Sequence, residues 1–252
     1  MEQTIINFVI VLVRVSGFVV ALPNLGSKTV PLRLRVGLVV ALTWMWTTGP
    51  EPLTVVSLAA TRADWPLVAV IMIREAVLGA LLGFLFRLFL LPARVAGAWL
   101  GQEMSFNMAS LTSVSGEDST GIVATFLSAL GTLLFFGLNM HHLLLLALDR
   151  SFQSWPVGTP LPEKLMLVTV EGLSIGENLG YTVAGPAAII CFLVLITLLL
   201  MGKASPHFNL MTIGLSLRVL GGLIAIMVFM PEIVSLLSRA VQRVEQFATR
   251  IL

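Results

Sequence analysis

Few residues of this 252-residue chain have the type and spacing that catalysis requires. His141 and His142 are adjacent, whereas zinc proteases place two histidines four positions apart with a glutamate between them. Asp64, Asp118 and Asp149 lack the spacing of a catalytic carboxylate pair, and no serine occupies a nucleophile elbow. Phosphate-binding and dinucleotide-binding glycine motifs are also missing. The sequence therefore predicts a protein that is not an enzyme, and the histidines are expected to pack or to hydrogen-bond at a helix end.

The single cysteine and the weak net charge narrow the possible ligands further. Cys191 is the only cysteine, so no disulfide and no thiolate zinc cluster can form within this sequence. It lies in an apolar run and is expected to be a small buried hydrophobe. The formal net charge of +2 is scattered, whereas nucleic-acid binding needs a clustered basic face. We expect no cofactor, no metal and no nucleic-acid partner.

The composition is that of a protein that lies in a membrane. Hydrophobic residues make up 57% of the chain and charged residues only 11%, against about 25% charged residues in soluble domains. Mean hydropathy is +0.99. The N-terminus MEQTIINF lacks the basic start of a secretory signal, so the first segment is expected to be retained. A single membrane domain is the simplest interpretation.

Several charged residues lie inside apolar segments, namely Arg14, Arg74, Glu75, Arg87 and Arg218. Charge at membrane depth is costly and usually faces protein or water. Arg74 and Glu75 are neighbours, so on a helix they point about 100° apart, and each is expected to pair with another helix or subunit. Arg14 and Arg87 lie close enough to segment ends to extend toward the interface. A proton-coupling role for Glu75 is the alternative.

Six apolar segments predict an all-helical architecture. They are Thr4–Leu22, Val36–Thr47, Pro66–Leu91, Ile122–Leu148, Val183–Met201 and Leu210–Met230. A bilayer span needs about 20 apolar residues, so four segments are firm spans and six is the generous count. The second segment is too short to cross alone. Only helices and closed barrels span lipid, and barrel strands would alternate polar with apolar residues, as these runs do not.

Prolines and glycines mark the ends of these segments. The predicted breaks are Pro23–Pro31, Gly49–Pro52, Pro156–Pro162, Pro206 and Pro231. After Pro231, Glu232–Leu252 has the apolar spacing of an amphipathic helix. Gly79 and Gly83 have the spacing that lets two membrane helices approach closely, so another helix is expected there.

The distribution of basic residues gives no membrane orientation. With six spans, five basic residues fall on one side and six on the other, so the positive-inside rule does not decide. Together with the short second segment, this near-tie indicates that the chain is not a simple serpentine membrane protein.

A polar, glycine-marked loop, Gly101–Gly121, separates two long apolar segments. It carries apolar side chains that a solvated loop does not need: Met104, Phe106, Met108 and Leu111. Irregular backbone at membrane depth survives only if it is buried in protein or lines a cavity. Methionine is flexible and polarisable, which suits a seal that yields. The sequence therefore predicts a gasket in a conduit, and the alternative is a loop that packs under the helices.

Read in order, these landmarks resemble the FliR family, the flagellar members of the type III export-gate proteins. The match extends over nearly the whole length and includes Arg14, Pro23, Pro31, Arg33, Arg35, Glu75, Gly79, Gly83, Gly97, Gln102, the run Met104–Ala109, Asn139, His141, Ser151, Phe152, Pro156, Gly158, Pro186, Pro206 and Asn209. Two stretches depart from the family pattern. Ser113–Gly116 lacks the usual Asp-Pro, and Asn139-Met140 replaces two glycines.

The resemblance implies a fold and a role. Members have a FliP-like part, here about 1–182, and a FliQ-like part, here about 183–252, whose helical hairpins pack in a helical export gate. The implied partners are FliP-like and FliQ-like membrane subunits, an FlhB-like gate protein and unfolded export substrates in transit. The implied location is the bacterial inner membrane, in the flagellar basal body.

The resemblance also assigns residues and leaves two alternatives open. The loop 101–121 is expected to plug the pore through Met104, Ser105, Phe106, Asn107, Met108 and Leu111. Polar contacts between helices or subunits are expected at Arg14, Arg74, Glu75 and Arg218. One alternative is the SctT-type subunit of a virulence secretion system. The other is a stand-alone transporter of ions or small molecules, with Glu75 and the histidines as coupling groups.

Overall fold

A computed structural model describes residues 2–22, 30–48, 65–105, 121–157, 159–160, 163–204 and 210–249. These ranges form eight α-helices, with a short 3₁₀ turn at Leu88–Leu90 between the third and fourth. The helices are α1 Glu2–Ala21, α2 Leu32–Thr48, α3 Trp65–Arg87, α4 Leu91–Glu103, α5 Ile122–Gly137, α6 Met140–Ser154, α7 Glu163–Ala204 and α8 Leu210–Thr249. The predicted all-α class is confirmed.

Three helical stretches are long and apolar enough to cross a membrane. They are Pro66–Glu103, Leu165–Ala204 and Gly214–Gln242. A fourth is reached if α5 and α6, which are separated by a sharp break, count as one span. The described residues thus support an all-α membrane protein with three or four spans, and the generous count of six is wrong. The second predicted segment is indeed short, since α2 has only 17 residues.

Prolines end fewer helices than the sequence predicts. Pro231 was expected to terminate a segment, but α8 continues through it. Likewise, α7 continues through Pro186. A proline removes one backbone donor, and membrane helices tolerate this where neighbouring groups satisfy the freed carbonyl. The predicted tail helix is therefore the second half of α8.

Two further boundaries differ from the prediction. The segment Ile122–Leu148 is broken at Asn139, whose φ of 58° is left-handed. Asparagine adopts this conformation more readily than most residues, so it can end one helix and begin the next. In addition, α7 begins at Glu163, because helix can form in the moderately polar stretch before Val183 that hydropathy alone does not mark.

The chain divides into two compact units. The first contains residues 1–88, 139–172 and 244–252, and the second contains 89–138 and 173–243. The predicted boundary between a FliP-like and a FliQ-like part, near residue 183, lies inside the continuous helix α7 and stays a prediction.

Close approach of α1 and α3 organises the first unit. A side chain at Gly79 would collide with the carbonyl group of Arg14, and one at Gly83 would collide with the carbonyl oxygen of Phe18. The phenyl rings of Phe18 and Phe86 meet edge to face, with centroids 6.2 Å apart. The predicted helix contact at the two glycines is therefore confirmed, and the partner is α1 of the same chain.

In the second unit, α4 packs closely on α5. A side chain at Gly97 would lie 2.5 Å from the Cα of Ala124, and one at Gly131 would lie 2.8 Å from the Cβ of Ala93. Small residues at such points let two helical backbones approach. Helices α7 and α8 complete one apolar core with them, which also contains Cys191 as a buried free thiol.

Candidate functional site

Arg14 lies at the centre of the first unit and is fully buried in α1. Its Nε and Nη2 atoms both lie 2.5 Å from Oε2 of Glu75, which is equally buried in α3. The two remaining donations go to backbone: Nη1 to the carbonyl of Ser151 and Nη2 to that of Trp155, each at 3.0 Å. One guanidinium therefore joins α1, α3 and the end of α6. The expected inter-helix pairing of Arg14 and Glu75 is observed within the chain.

Arg74 completes this cluster from the same helix as Glu75. Its Nη1 contacts Oε1 of Glu75, so the expectation that these neighbours cannot pair is wrong. The 100° separation describes where the two side chains leave the helix, whereas the long arginine side chain can bend back toward its neighbour. Its Nη2 donates to the hydroxyl of Thr159 at 2.8 Å.

The cluster is compensated by more than one carboxylate. Two guanidinium groups share Glu75, so the three side chains carry a net positive charge. The carbonyl groups that accept from Arg14 belong to the C-terminal turn of α6, where a helix end is partially negative. The ring of Phe152 lies 4.5 Å from the guanidinium carbon of Arg14 and adds a cation–π contact. Both oxygens of Glu75 are occupied by cations, which favours a structural role over proton coupling.

A tryptophan tie near this cluster was not foreseen from the sequence. The indole Nε1 of Trp46 donates to Oδ1 of Asp149 at 2.8 Å, which holds α2 on α6. The Trp46 ring also packs on Phe152, with centroids 6.0 Å apart. The only available signal was a polar-tipped aromatic residue in a short apolar helix, since a buried indole usually finds an acceptor. Nothing in a single sequence pairs it with Asp149.

In the second unit, the C-terminal end of α4 is held by α8. Met104 follows the last residue of α4 and is fully buried. A side-chain carbon placed on Gly222 would lie 2.8 Å from both Sδ and Cε of Met104, so the methionine occupies the space that the glycine leaves. One turn earlier on α8, Arg218 forms an ion pair with Glu103 at 3.6 Å. Glu103 is thus the inter-helix partner that was expected for Arg218.

The predicted plug residues divide at the edge of the described chain. Met104 packs in the core of the second unit, and Ser105 has a left-handed φ of 60°. The Ser105 amide donates to the carbonyl of Gln102 at 2.9 Å, which closes the last turn. The other predicted plug residues lie outside the described residues; they are Phe106, Asn107, Met108 and Leu111.

The histidine pair shows no arrangement typical of a metal site. The rings of His141 and His142 are 4.2 Å apart in the first turn of α6. Within the described ranges, no group of three or more histidine, cysteine, aspartate or glutamate side chains could hold a metal ion.

Comparison with known proteins agrees with this architecture. The family model described as "Bacterial export proteins, family 1" matches residues 5–244. A "Flagellar biosynthetic protein FliR" from Caulobacter vibrioides is 27% identical over 221 residues, covering 85% of this chain and 84% of the relative. Proteins with the same name from Bacillus subtilis and Escherichia coli are 24% and 25% identical, and they cover 90% and 88% of this chain.

The chain belongs to the FliR family of bacterial export proteins. With its apolar helices, it is an inner-membrane component of the flagellar export apparatus.

Proposed function

We propose that the protein is a non-enzymatic subunit of the flagellar protein export gate. In this role it forms part of the channel through which unfolded flagellar subunits cross the inner membrane. Its neighbours are FliP-like and FliQ-like membrane subunits and an FlhB-like gate protein. The loop that follows α4 closes the pore when no chain is in transit.

The surface of α2 carries this proposal. Only Val39, Thr43 and Trp46 of its 17 residues are buried. The exposed remainder includes Trp44 and Met45, whose side chains are 63% and 52% exposed. The part without charge, from Val36 to Thr48, is 13 residues long and therefore reaches about 20 Å. The apolar core of a bilayer is about 30 Å thick. This helix cannot cross lipid alone, and apolar helices of neighbouring subunits would cover it instead.

Photocrosslinking from α2 tests this assignment. We would place a photoreactive phenylalanine analogue at Trp44 in the chain coexpressed with its FliP-like and FliQ-like partners. We expect adducts with a partner subunit, because this side chain points away from the rest of the first unit. The matched control is the buried position Trp46 on the same helix, where we expect no intersubunit adduct. Abundant chain with adducts only to lipid would overturn the proposal.

A seal at the loop after α4 is supported by its sequence and by its first residues. The stretch 106–120 contains apolar side chains among small polar ones, which can satisfy backbone groups inside a conduit. Met104 and Ser105, which lead into it, are ordered by the core of the second unit and by a closed turn. A loop with a fixed start loses less conformational entropy when it adopts one closed arrangement.

Membrane permeability tests the seal. We expect the double variant Phe106→Ser with Met108→Ser to raise leakage of small ions through assembled gates several-fold, because apolar contact area is lost from the closed state. The control is Thr120→Ser, which removes one methyl group near the other end of the loop. Wild-type permeability in the double variant, with assembly intact, would contradict a plug in this loop.

The alternatives receive less support. The relatives described above carry the flagellar name, which favours the flagellar branch over a virulence secretion system. A stand-alone transporter would use Glu75 to bind or release a proton, but two guanidinium groups occupy that carboxylate.

A further inference from the structure

The contact between Met104 and Gly222 is specific in shape. Both residues lie in the second unit, at the end of α4 and in the middle of α8. A carbon added at Gly222 would fall 2.8 Å from the sulfur and from the terminal methyl of Met104. Real side-chain carbons do not approach that closely, so Met104 would have to move. The notch at Gly222 therefore fits Met104 only while residue 222 has no side chain.

A second attachment lies one turn away on the same face of α8. Arg218 precedes Gly222 by four positions, and Glu103 directly precedes Met104. The Arg218 guanidinium lies 3.6 Å from the Glu103 carboxylate, with both side chains about three-quarters buried. A cation at the C-terminal end of a helix also interacts favourably with its exposed carbonyl groups. Two consecutive residues at the end of α4 are thus held by two residues on one face of α8.

We infer that Met104 and Gly222 form an anchor that fixes the starting point of the plug loop, with Glu103 and Arg218 as its polar support. This inference rests on the proposed function of the loop as a seal. It changes the role expected for Met104. Met104 is a positioning residue that is buried in its own chain, and the seal itself belongs to residues further along the loop. A supporting contact that loosens by about 1 Å is enough to disable a precisely placed site.

A single methyl group tests the anchor. In gates assembled with the partner subunits, we would compare Gly222→Ala with Gly214→Ala, and measure uptake of a small membrane-impermeant dye. Both changes place alanine inside α8, but Gly214 has no atom within 4 Å of its added carbon. We expect a several-fold rise in dye uptake for Gly222→Ala and wild-type uptake for Gly214→Ala. Equal, low uptake in both variants, with equal assembly, would overturn the anchor.

Two compensating pairs separate positioning from general damage to the fold. Met104→Val combined with Gly222→Ala moves volume from one side of the contact to the other, so uptake should fall back toward the wild-type value. Exchanging the charges, as Glu103→Arg with Arg218→Glu, should leak less than either reversal alone. Additive leakage in both double variants would show that these positions do not act as one attachment, and would overturn the inference.

The loop variants of the previous section distinguish failure of the anchor from failure of the plug. If Phe106→Ser with Met108→Ser leaks while Gly222→Ala stays tight, the plug stands and the anchor is wrong. If the loop variant stays tight in assembled gates, the plug is wrong and the anchor has no seal to position. If both leak, and the volume exchange restores tightness, the two proposals hold together.

Discussion

The two units hold their helices together by opposite means. In the first, a fully buried guanidinium, Arg14, joins three helices through a carboxylate and two backbone carbonyl groups. In the second, a methionine fills a space left by a glycine, and the supporting ion pair keeps some contact with solvent. Buried charges have no substitute for a lost partner, whereas an apolar contact can be tightened or loosened by single methyl groups. The first arrangement suits a fixed scaffold and the second suits a joint that must be tuned.

The largest effect is expected at Glu75. Glu75→Gln leaves Arg14 and Arg74 without their shared negative charge inside the first unit. Breaking a buried pair by removing one partner costs about 3–5 kcal/mol. We expect strongly reduced accumulation of the protein in the membrane and faster cleavage by added protease.

The control for this prediction removes charge from both sides. Glu75→Gln combined with Arg14→Met leaves one buried cation fewer than Glu75→Gln alone, so it should accumulate better than that single variant. If Glu75→Gln alone accumulated like the wild type, the charge cluster would not be a scaffold, and the contrast with the second unit would disappear.

A smaller effect is expected where α1 meets α3. In Gly79→Ala the new carbon would collide with the backbone carbonyl of Arg14, which cannot rotate away. Overpacking of this kind costs about 1–3 kcal/mol. The matched control is Gly37→Ala in α2, where no atom lies within 4 Å of the added carbon. The thermal midpoint of the detergent-solubilised protein should fall for Gly79→Ala and stay constant or rise for Gly37→Ala.

The outer part of the charge cluster should matter less than its centre. Thr159→Val removes the hydroxyl that accepts from Nη2 of Arg74, at a cost of about 1 kcal/mol. The control is Thr197→Val in α7, whose hydroxyl bonds only to the Leu193 carbonyl of its own helix. A drop in thermal midpoint for Thr159→Val as large as that for Glu75→Gln would show that the cluster has no dominant centre.

The smallest effect on stability is expected at Glu103. Its ion pair with Arg218 is partly exposed, so Glu103→Gln should cost about 0.5–1 kcal/mol at most. Glu232→Gln, in a pair with Arg239 that is more than half exposed, should cost nothing measurable. Thermal midpoints at low and high salt check this, because only a weakly screened pair would keep its effect at high salt.

Much of the architecture follows from the sequence alone. Membrane helices and the short α2 follow from hydropathy, and Gly79 and Gly83 revealed a close helix contact because small residues permit it. A partner for Arg14 from elsewhere in the chain was also expected, since an arginine in an apolar segment must be compensated.

Other features depend on tertiary contacts that no local pattern contains. The carbonyl groups of Ser151 and Trp155 accept from Arg14, yet backbone acceptors leave no trace in side-chain chemistry. The path of α8 through Pro231 was missed because a proline weakens a helix locally, while packing along the remaining length can maintain it. Met104 was assigned to the plug because methionine suits an adaptable surface, and the partner that buries it, Gly222, is more than a hundred residues away in sequence.

The length of α7 has a consequence for where the protein meets water. Its 42 residues give a contour of about 63 Å, roughly twice the oily thickness of a bilayer. Whatever depth it takes, about half of this rod must stand in an aqueous compartment. Its first half carries Glu171, Glu177 and Asn178 on exposed positions, as a hydrated column would. A conduit walled by such columns would be considerably taller than the lipid it pierces, so a passing polypeptide would be enclosed well before or after it leaves the membrane.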